Sequence, residues 1–272
     1  MVPRPMRESI RQRFGPFAPW EAGFSPVPPP LRPGEKTGPP HFVGIGAQRA
    51  GTTWWFQLLA AHPQVYQRHD IHKERHFFAR FATEAFTEAD VALYHRWFPR
   101  PSGTLAGEWT PDYMNQPWTA PLLKSAAGDA KVLVMVRDPV ERFLSGMAHA
   151  ELRAASHLGT LEADAVARGR YASALGPWVE IFGSERLLVL QYERCVADPA
   201  GELVRTLRFL GLDQRPPPAD VRRPVSPTPG PKLSLSDDAR RRLVDLYAED
   251  VGELMERFPE LDRALWPNFS CR

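Results

Sequence analysis

His41-Phe42-Val43-Gly44-Ile45-Gly46-Ala47-Gln48-Arg49-Ala50-Gly51-Thr52-Thr53 is the run from which the fold class follows. Residues 41–45 read as a short buried strand and residues 46–51 as a glycine-bounded turn. Residues 52–62 read as a helix, because Trp55, Leu58, Leu59 and His62 recur at three-to-four spacing and Pro63 stops the pattern. Strand, glycine loop and helix make the first half of a βαβ unit. Gly46 and Gly51 have the gap of the phosphate loop G-x-x-x-x-G-K-[ST], but Thr52 stands where the lysine belongs. That lysine neutralises the β- and γ-phosphates in nucleotide triphosphatases, so its loss argues against kinase or ATPase chemistry. Anion binding survives it. Backbone N–H groups at a helix N-terminus point at an anion, and Arg49, Thr52 and Thr53 add donors. The bland alternative is a plain glycine turn between strand and helix.

Working outward, further strands are expected at 104–108, 131–137 and 187–192. Helices are expected near 89–98, 119–127, 139–152, 171–182, 200–210 and 236–257. Strands alternating with longer helical segments indicate an α/β chain: a P-loop-like parallel sheet with helices on both faces, in one domain from 41 to 272. Residues 1–40 carry eleven prolines, including Pro28-Pro29-Pro30, and read as an irregular or polyproline arm. A second proline cluster, at 216–218 and 224–231, reads as a long loop before the last helix.

Composition narrows the function classes. The chain has 272 residues and a formal net charge of +2, too balanced for a polybasic nucleic-acid binder. The longest apolar runs, such as 132–136 and 187–190, are four or five residues, against about 20 for a membrane helix. The N-terminus has no signal-peptide apolar stretch, so a cytoplasmic chain without integral membrane association is expected. Two cysteines, Cys195 and Cys271, form no C-x-x-C pair, which excludes disulfide and zinc-ribbon frameworks.

A second anion site is read from Val136-Arg137-Asp138-Pro139-Val140-Glu141-Arg142-Phe143-Leu144-Ser145. Asp138 suits an N-cap, Pro139 the first helical position and Glu141 the third. Arg137 leaves the carboxyl end of a strand, where open α/β sheets bind ligands, and Ser145 lies two turns further on.

Together these runs resemble the sulfotransferases that use 3′-phosphoadenosine 5′-phosphosulfate (PAPS). Residues 46–53 look like that family's 5′-phosphosulfate loop and residues 136–145 like its 3′-phosphate motif. The resemblance implies that Arg49, Ala50, Gly51, Thr52 and Thr53 hold the 5′-phosphosulfate, and that Arg137 and Ser145 hold the 3′-phosphate. Lys73-Glu74-Arg75-His76-Phe77-Phe78 is similar to the Glu-x-His-Phe-Phe segment of the heparan-sulfate-type branch, whose Glu is the base. Glu108-Trp109-Thr110-Pro111-Asp112-Tyr113 resembles that branch's Glu-Lys-Thr-Pro-x-Tyr. The likeness runs over about 42–266 and includes Tyr171, Trp178, Asp198-Pro199 and Phe209-Leu210-Gly211. Only five of the 34 basic residues are Lys, a bias expected of a bacterial member encoded by GC-rich DNA. Two departures stand out: Arg49 replaces the family's usual Lys, and Trp109 replaces a basic residue near the transferred group. Arg222, Arg223 and Lys232 are candidates for the family's basic loop over the 3′-phosphate.

The implied function is transfer of the sulfuryl group from PAPS to a hydroxyl of a small molecule, glycan or lipid. Glu74 is the expected general base, with Lys73 beside it and His76 either orienting it or serving as the base instead, and with Phe77, Trp109 and Tyr113 toward the acceptor. Glu74 capping a helix start, or pairing there with Arg75, is the structural alternative. No metal is expected. His69, Asp70, His72 and His76 cluster, but Lys73 stands where a zincin needs Glu. A P-loop kinase and a non-catalytic nucleotide-binding protein are the competing functions.

Overall fold

The computed structural model describes residues 27–151, 158–215 and 234–270, and the side chains of 149–151 and 158–161 are left aside. Four parallel strands form the central sheet: β2 (Phe42–Gly46), β4 (Gly107–Trp109), β5 (Lys131–Val136) and β6 (Leu187–Gln191), in the order β4-β2-β5-β6. β1 (Glu35–Lys36) pairs antiparallel with β3 (Arg100–Pro101) away from this sheet. The strands of the main sheet are short and almost wholly buried, as expected for a parallel sheet covered on both faces.

The helices are α1 (Thr52–Ala60), α2 (Glu88–His95), α3 (Thr119–Ala127), α4 (Pro139–Glu151), α5 (Leu158–Ala167), α6 (Tyr171–Phe182), α7 (Tyr192–Ala197), α8 (Pro199–Leu210) and α9 (Asp237–Arg257). Their ends follow the capping chemistry. Asp138 Oδ1 accepts from the N–H groups of Val140 (2.9 Å) and Glu141 (3.2 Å), opening α4. Asp198 caps α8 with Pro199 in its first turn, and Gly211 ends that helix in the left-handed conformation (φ 76). Thr87 and Asp90 make a reciprocal capping box at α2.

Chain direction sets the functional edge. From β2 the chain crosses to β4 on one side, and from β4 it returns past β2 to β5 and then β6. Right-handed crossovers in opposite directions place helices on both faces. They also leave a crevice at the carboxyl ends of β2 and β5, where the order reverses. The core packs around fully buried Trp55, Trp109, Trp178 and Trp266. The indole N–H of Trp55 donates to Thr206 Oγ1 (3.1 Å), tying α1 to α8 on one face.

Several stretches depart from the sequence reading, among them α5 and α7, which are not among the expected helices. Residues 104–106 do not join the main ladder: Leu105 N–H donates to Gln64 O (2.8 Å) and its carbonyl accepts from Tyr66 (2.7 Å). Pairing with β2 therefore begins at Gly107 and continues to Trp109. Helix α1 ends at Ala60, and His62 instead closes the next turn, accepting at Nδ1 from Gln64 N–H (3.2 Å). In the stretch read as an arm, Pro28 is buried, and Arg68 donates to Pro30 O (2.8 Å) and pairs with Glu35 (3.2 Å). Residues 1–26, the 216–233 loop with Arg222, Arg223 and Lys232, and Cys271 lie outside the described residues.

Candidate active site

The 46–51 loop leaves β2 and the Arg137–Asp138 turn leaves β5, its neighbour in the sheet. Adjacency of the two strands thus brings together motifs that are about ninety residues apart in sequence. Gly51 adopts φ 93, and a Cβ there would stand 2.8 Å from the Tyr192 ring. Only glycine meets both demands. Arg49 is also left-handed (φ 68), an uncommon state for a residue with a side chain. Its Nε donates to Ser145 Oγ on α4 (3.2 Å), while Arg137 Nη1 donates to the Arg49 carbonyl (3.3 Å). The Arg137 guanidinium lies over the Tyr192 ring, 5.0 Å from its centre. Arg49, Arg137 and Ser145, read as two separate sites, therefore converge from three elements. The N-cap of α1 is Gly51, which has no side chain to cap the helix, and the helix N-terminus opens onto the same region as two arginines. Gly51, Thr53, Arg137 and Ser145 are partly exposed, whereas Ala50 and Thr52 are buried.

The turn carrying Arg137 is braced from the far end of the chain. Asp138 Oδ2 accepts from Asn268 N–H (3.1 Å) and Asn268 Nδ2 (2.9 Å). Glu193 accepts from Asp138 N–H (2.9 Å) and, through its other oxygen, from Trp266 Nε1 (2.9 Å). Tyr171 hydroxyl donates to the Arg137 carbonyl (2.9 Å). Asn268 and Glu193 were not found from sequence, because neither belongs to a local pattern.

Lys73, Glu74 and His76 form one charged group beside this crevice. Glu74 pairs through Oε1 with the Lys73 ammonium and through Oε2 with His76 Nε2 (3.2 Å). The carboxylate is 26% exposed, so it is held yet reachable. Burial pushes it up, but the His76 hydrogen bond and the Lys73 charge outweigh this and hold it at about 2. Burial pulls His76 down, yet the Glu74 hydrogen bond and the Asp112 charge leave it above the ordinary histidine range. Glu74 is ionised at neutral pH and is not paired with Arg75, contrary to the structural alternative. Arg75 turns into the core over the Phe98 ring (5.6 Å), and its Nε and Nη1 find no hydrogen-bond partner among the described residues.

Glu108, fully buried, holds this loop in place. It accepts from Tyr94 hydroxyl (2.6 Å), Thr110 hydroxyl (2.6 Å) and Arg75 N–H (3.2 Å). Thr110 Oγ1 accepts from Arg75 N–H (2.9 Å), and Tyr113 hydroxyl accepts from Phe77 N–H (2.9 Å). Burial raises the Glu108 carboxyl, against the opposing charge of Arg75.

Trp109 links the two halves of the site. Its N–H donates to the Lys73 carbonyl (3.0 Å), and its indole N–H donates to the Gly46 carbonyl (3.1 Å). The ring lies against Gly44, where a Cβ would sit 2.1 Å from it. Where the family pattern has a basic side chain, this chain buries an indole and sets the Lys73 ammonium 3.4 Å from the Trp109 carbonyl. Phe77, Trp109 and Tyr113, expected toward the acceptor, are 3%, 0% and 0% exposed and offer a ligand no surface in this conformation. Among the described residues no group of three or more His, Cys, Asp and Glu is arranged for a metal ion. Asp70 instead pairs with Arg68.

A family model described as the sulfotransferase domain matches residues 39–223. The chain belongs to this sulfotransferase family. It is 31% identical over 189 residues to mouse heparan sulfate glucosamine 3-O-sulfotransferase 3B1, covering 64% of this chain and 46% of that protein. It is 31% identical over 194 residues to human heparan sulfate glucosamine 3-O-sulfotransferase 6, covering 66% and 54%. The sulfotransferase chain thus spans about half the length of these curated relatives. A crystal structure of a sulfotransferase from Alicyclobacillus acidocaldarius shares the fold, with a TM-score of 0.63, 22% identity and coverage of 84% of this chain and 98% of that one. The family match contains both strand-end motifs and the Lys73–His76 loop, whereas Trp266 and Asn268 lie beyond it. Among the described residues, no helix of this sulfotransferase is long and apolar enough to cross a membrane.

Proposed function

We propose that this chain transfers the sulfuryl group of PAPS to an acceptor hydroxyl, with Glu74 as general base. The observation that carries the reading is the convergence of Arg49, Arg137 and Ser145 at the carboxyl ends of β2 and β5, clamped by Trp109 to the Lys73–Glu74–His76 loop. The pocket chemistry fits a donor that is anionic at both ends: a helix N-terminus whose N-cap glycine allows close backbone approach, and two guanidiniums. PAPS, when bound, supplies the sulfuryl group and a phosphate leaving group. Gly51, Thr52, Thr53 and Arg49 hold the 5′ end, and Arg137 with Ser145 holds the 3′-phosphate. Glu74 accepts the acceptor's proton, His76 fixes the carboxylate's direction, and Lys73 balances charge where the family has a side chain from the Trp109 position. The acceptors proposed are the hydroxyls of a glycan, as the relatives' names suggest, or of a small molecule or lipid.

The test uses PAPS labelled in its sulfur, with heparan sulfate, a lipid extract and a metabolite panel as separate acceptors. Label appears in one class with wild-type protein and is lost with Glu74→Gln. Thermal stabilisation by ATP–Mg²⁺ but not by adenosine 3′,5′-bisphosphate would instead identify a kinase.

A further inference from the structure

A line of alternating charges continues beyond Glu74 on the side away from Lys73. The far ring nitrogen of His76, Nδ1, lies 3.7 Å from Asp112 Oδ2. Asp112 Oδ1 pairs with Arg168 Nη1, and Arg168 Nε donates to Asp164 Oδ2 (2.7 Å). The imidazole is thus flanked by two carboxylates, Glu74 and Asp112, and the second is fixed by a guanidinium whose side chain is 8% exposed. The backbone is bent to achieve this. His76 has φ 48, a left-handed state that is costly for a residue with a Cβ. Its N–H rests on Thr110 Oγ1 (3.4 Å). Asp112 sits four residues after Glu108, and Arg168 follows α5, so two elements separate from the base loop converge on its histidine.

We propose that Asp112, held by Arg168, is a positioning residue that keeps His76 oriented and cationic so that Glu74 stays aimed at the acceptor. The proposal rests on the reading of Glu74 as base. His76 Nε2 then donates to Glu74, and Asp112 stands across the ring as a counter-charge 3.7 Å from Nδ1. The Asp112 charge offsets the imidazolium, so Glu74 loses less basicity than it would beside a lone cation. A base oriented by a neighbour that a third group fixes in turn is a general device in proton-transfer catalysis. Among the described residues, the groups facing His76 include Glu74 on its own loop, Glu108 of β4, and Asp112 with Thr110 in the segment after β4. Lys73 lies behind Glu74, and Arg168 with Asp164 lies behind Asp112.

The sign follows from the active form, which has Glu74 ionised and His76 protonated. Turnover falls as pH rises through the His76 pKa. Removing the Asp112 charge lowers that pKa, so the basic limb of the rate profile moves to lower pH. The experiment compares wild type, Asp112→Asn, Asp112→Glu, Arg168→Lys and Glu74→Gln. His76 is titrated by NMR from about pH 5 to about pH 9 with adenosine 3′,5′-bisphosphate bound. Release of that product from PAPS is followed over the same range with heparan sulfate as the probe acceptor. Asp112→Asn lowers the His76 pKa, shifts the basic limb with it and cuts turnover about tenfold. Asp112→Glu restores part of each, and product affinity stays unchanged. An unshifted His76 titration in Asp112→Asn overturns the proposal. So does a shifted titration with an unmoved rate profile, or lost turnover that merely follows lost folding. Full turnover in Glu74→Gln overturns the base assignment itself, and is distinguishable because the NMR titration reads Asp112 independently of turnover.

Discussion

Replacing Glu108 by Gln probes the framework that holds the base loop. The two carboxylate oxygens receive the Tyr94, Tyr113 and Thr110 hydroxyls and the Arg75 N–H, at 2.6, 3.4, 2.6 and 3.2 Å. The amide keeps the shape, and the hydroxyls rotate to suit it. The charge has no such remedy. Arg75 is buried, lacks hydrogen-bond partners at Nε and Nη1 among the described residues, and feels the opposite charge of Glu108. Leaving a buried charge without the opposite charge that faces it costs about 1–3 kcal/mol. Urea denaturation at neutral pH should show a loss in that range, with unchanged slope. Turnover should fall together with stability, because Arg75, His76 and Phe77 hang from this network by their N–H groups. Affinity for adenosine 3′,5′-bisphosphate should hold in the folded fraction. A loss below about 1 kcal/mol would refute the view that Glu108 carries the Arg75 charge.

Three other outcomes are expected. Asn268→Ala removes the Nδ2 hydrogen bond to buried Asp138 and the oxygen that accepts from Arg240, so stability falls by about 1–3 kcal/mol in urea titration and bisphosphate affinity weakens through the Arg137 turn. Gly51→Ala meets a positive φ and the Tyr192 ring at 2.8 Å, and should abolish product binding in an otherwise folded protein, as read by calorimetry with circular dichroism. Glu74 has its pKa held near 2, against 4.5 without partners, so its contribution is present above about pH 4.5 and lost as pH falls toward 2. Wild type should therefore lose about 2–3 kcal/mol more than Glu74→Gln between those limits, measured by denaturant unfolding at each pH.

Much of the fold was legible because its signals are local. An apolar run ending in a glycine loop, and another ending in Asp138 with Pro139, announce strand-to-helix turns through capping chemistry that depends on neighbours in the chain. The convergence of Arg49, Arg137 and Ser145 was half legible. Each residue stood in a recognisable motif, but their contact depends on β2 lying beside β5. Glu108, Asp112, Arg168 and Asn268 were not legible as supports. Their contacts with Arg75, His76, Asp112 and Asp138 span tens to more than a hundred residues, and a polar side chain gives no sequence sign that it will be buried and paired. Trp109 shows the reverse difficulty. An aromatic ring in a motif reads equally as ligand contact or core, and only the fit against Gly44 and the bond to Gly46 place it in the core.

The most direct test of the nucleotide site is calorimetric titration with adenosine 3′,5′-bisphosphate, which needs no knowledge of the acceptor. Wild type should bind one molecule per chain, and Arg137→Ala should bind it about ten- to a hundredfold more weakly, the worth of a charge-assisted hydrogen bond. Equal affinity in the two proteins, or no binding by wild type, would contradict the assignment of the β2 and β5 strand ends to a donor charged at both ends.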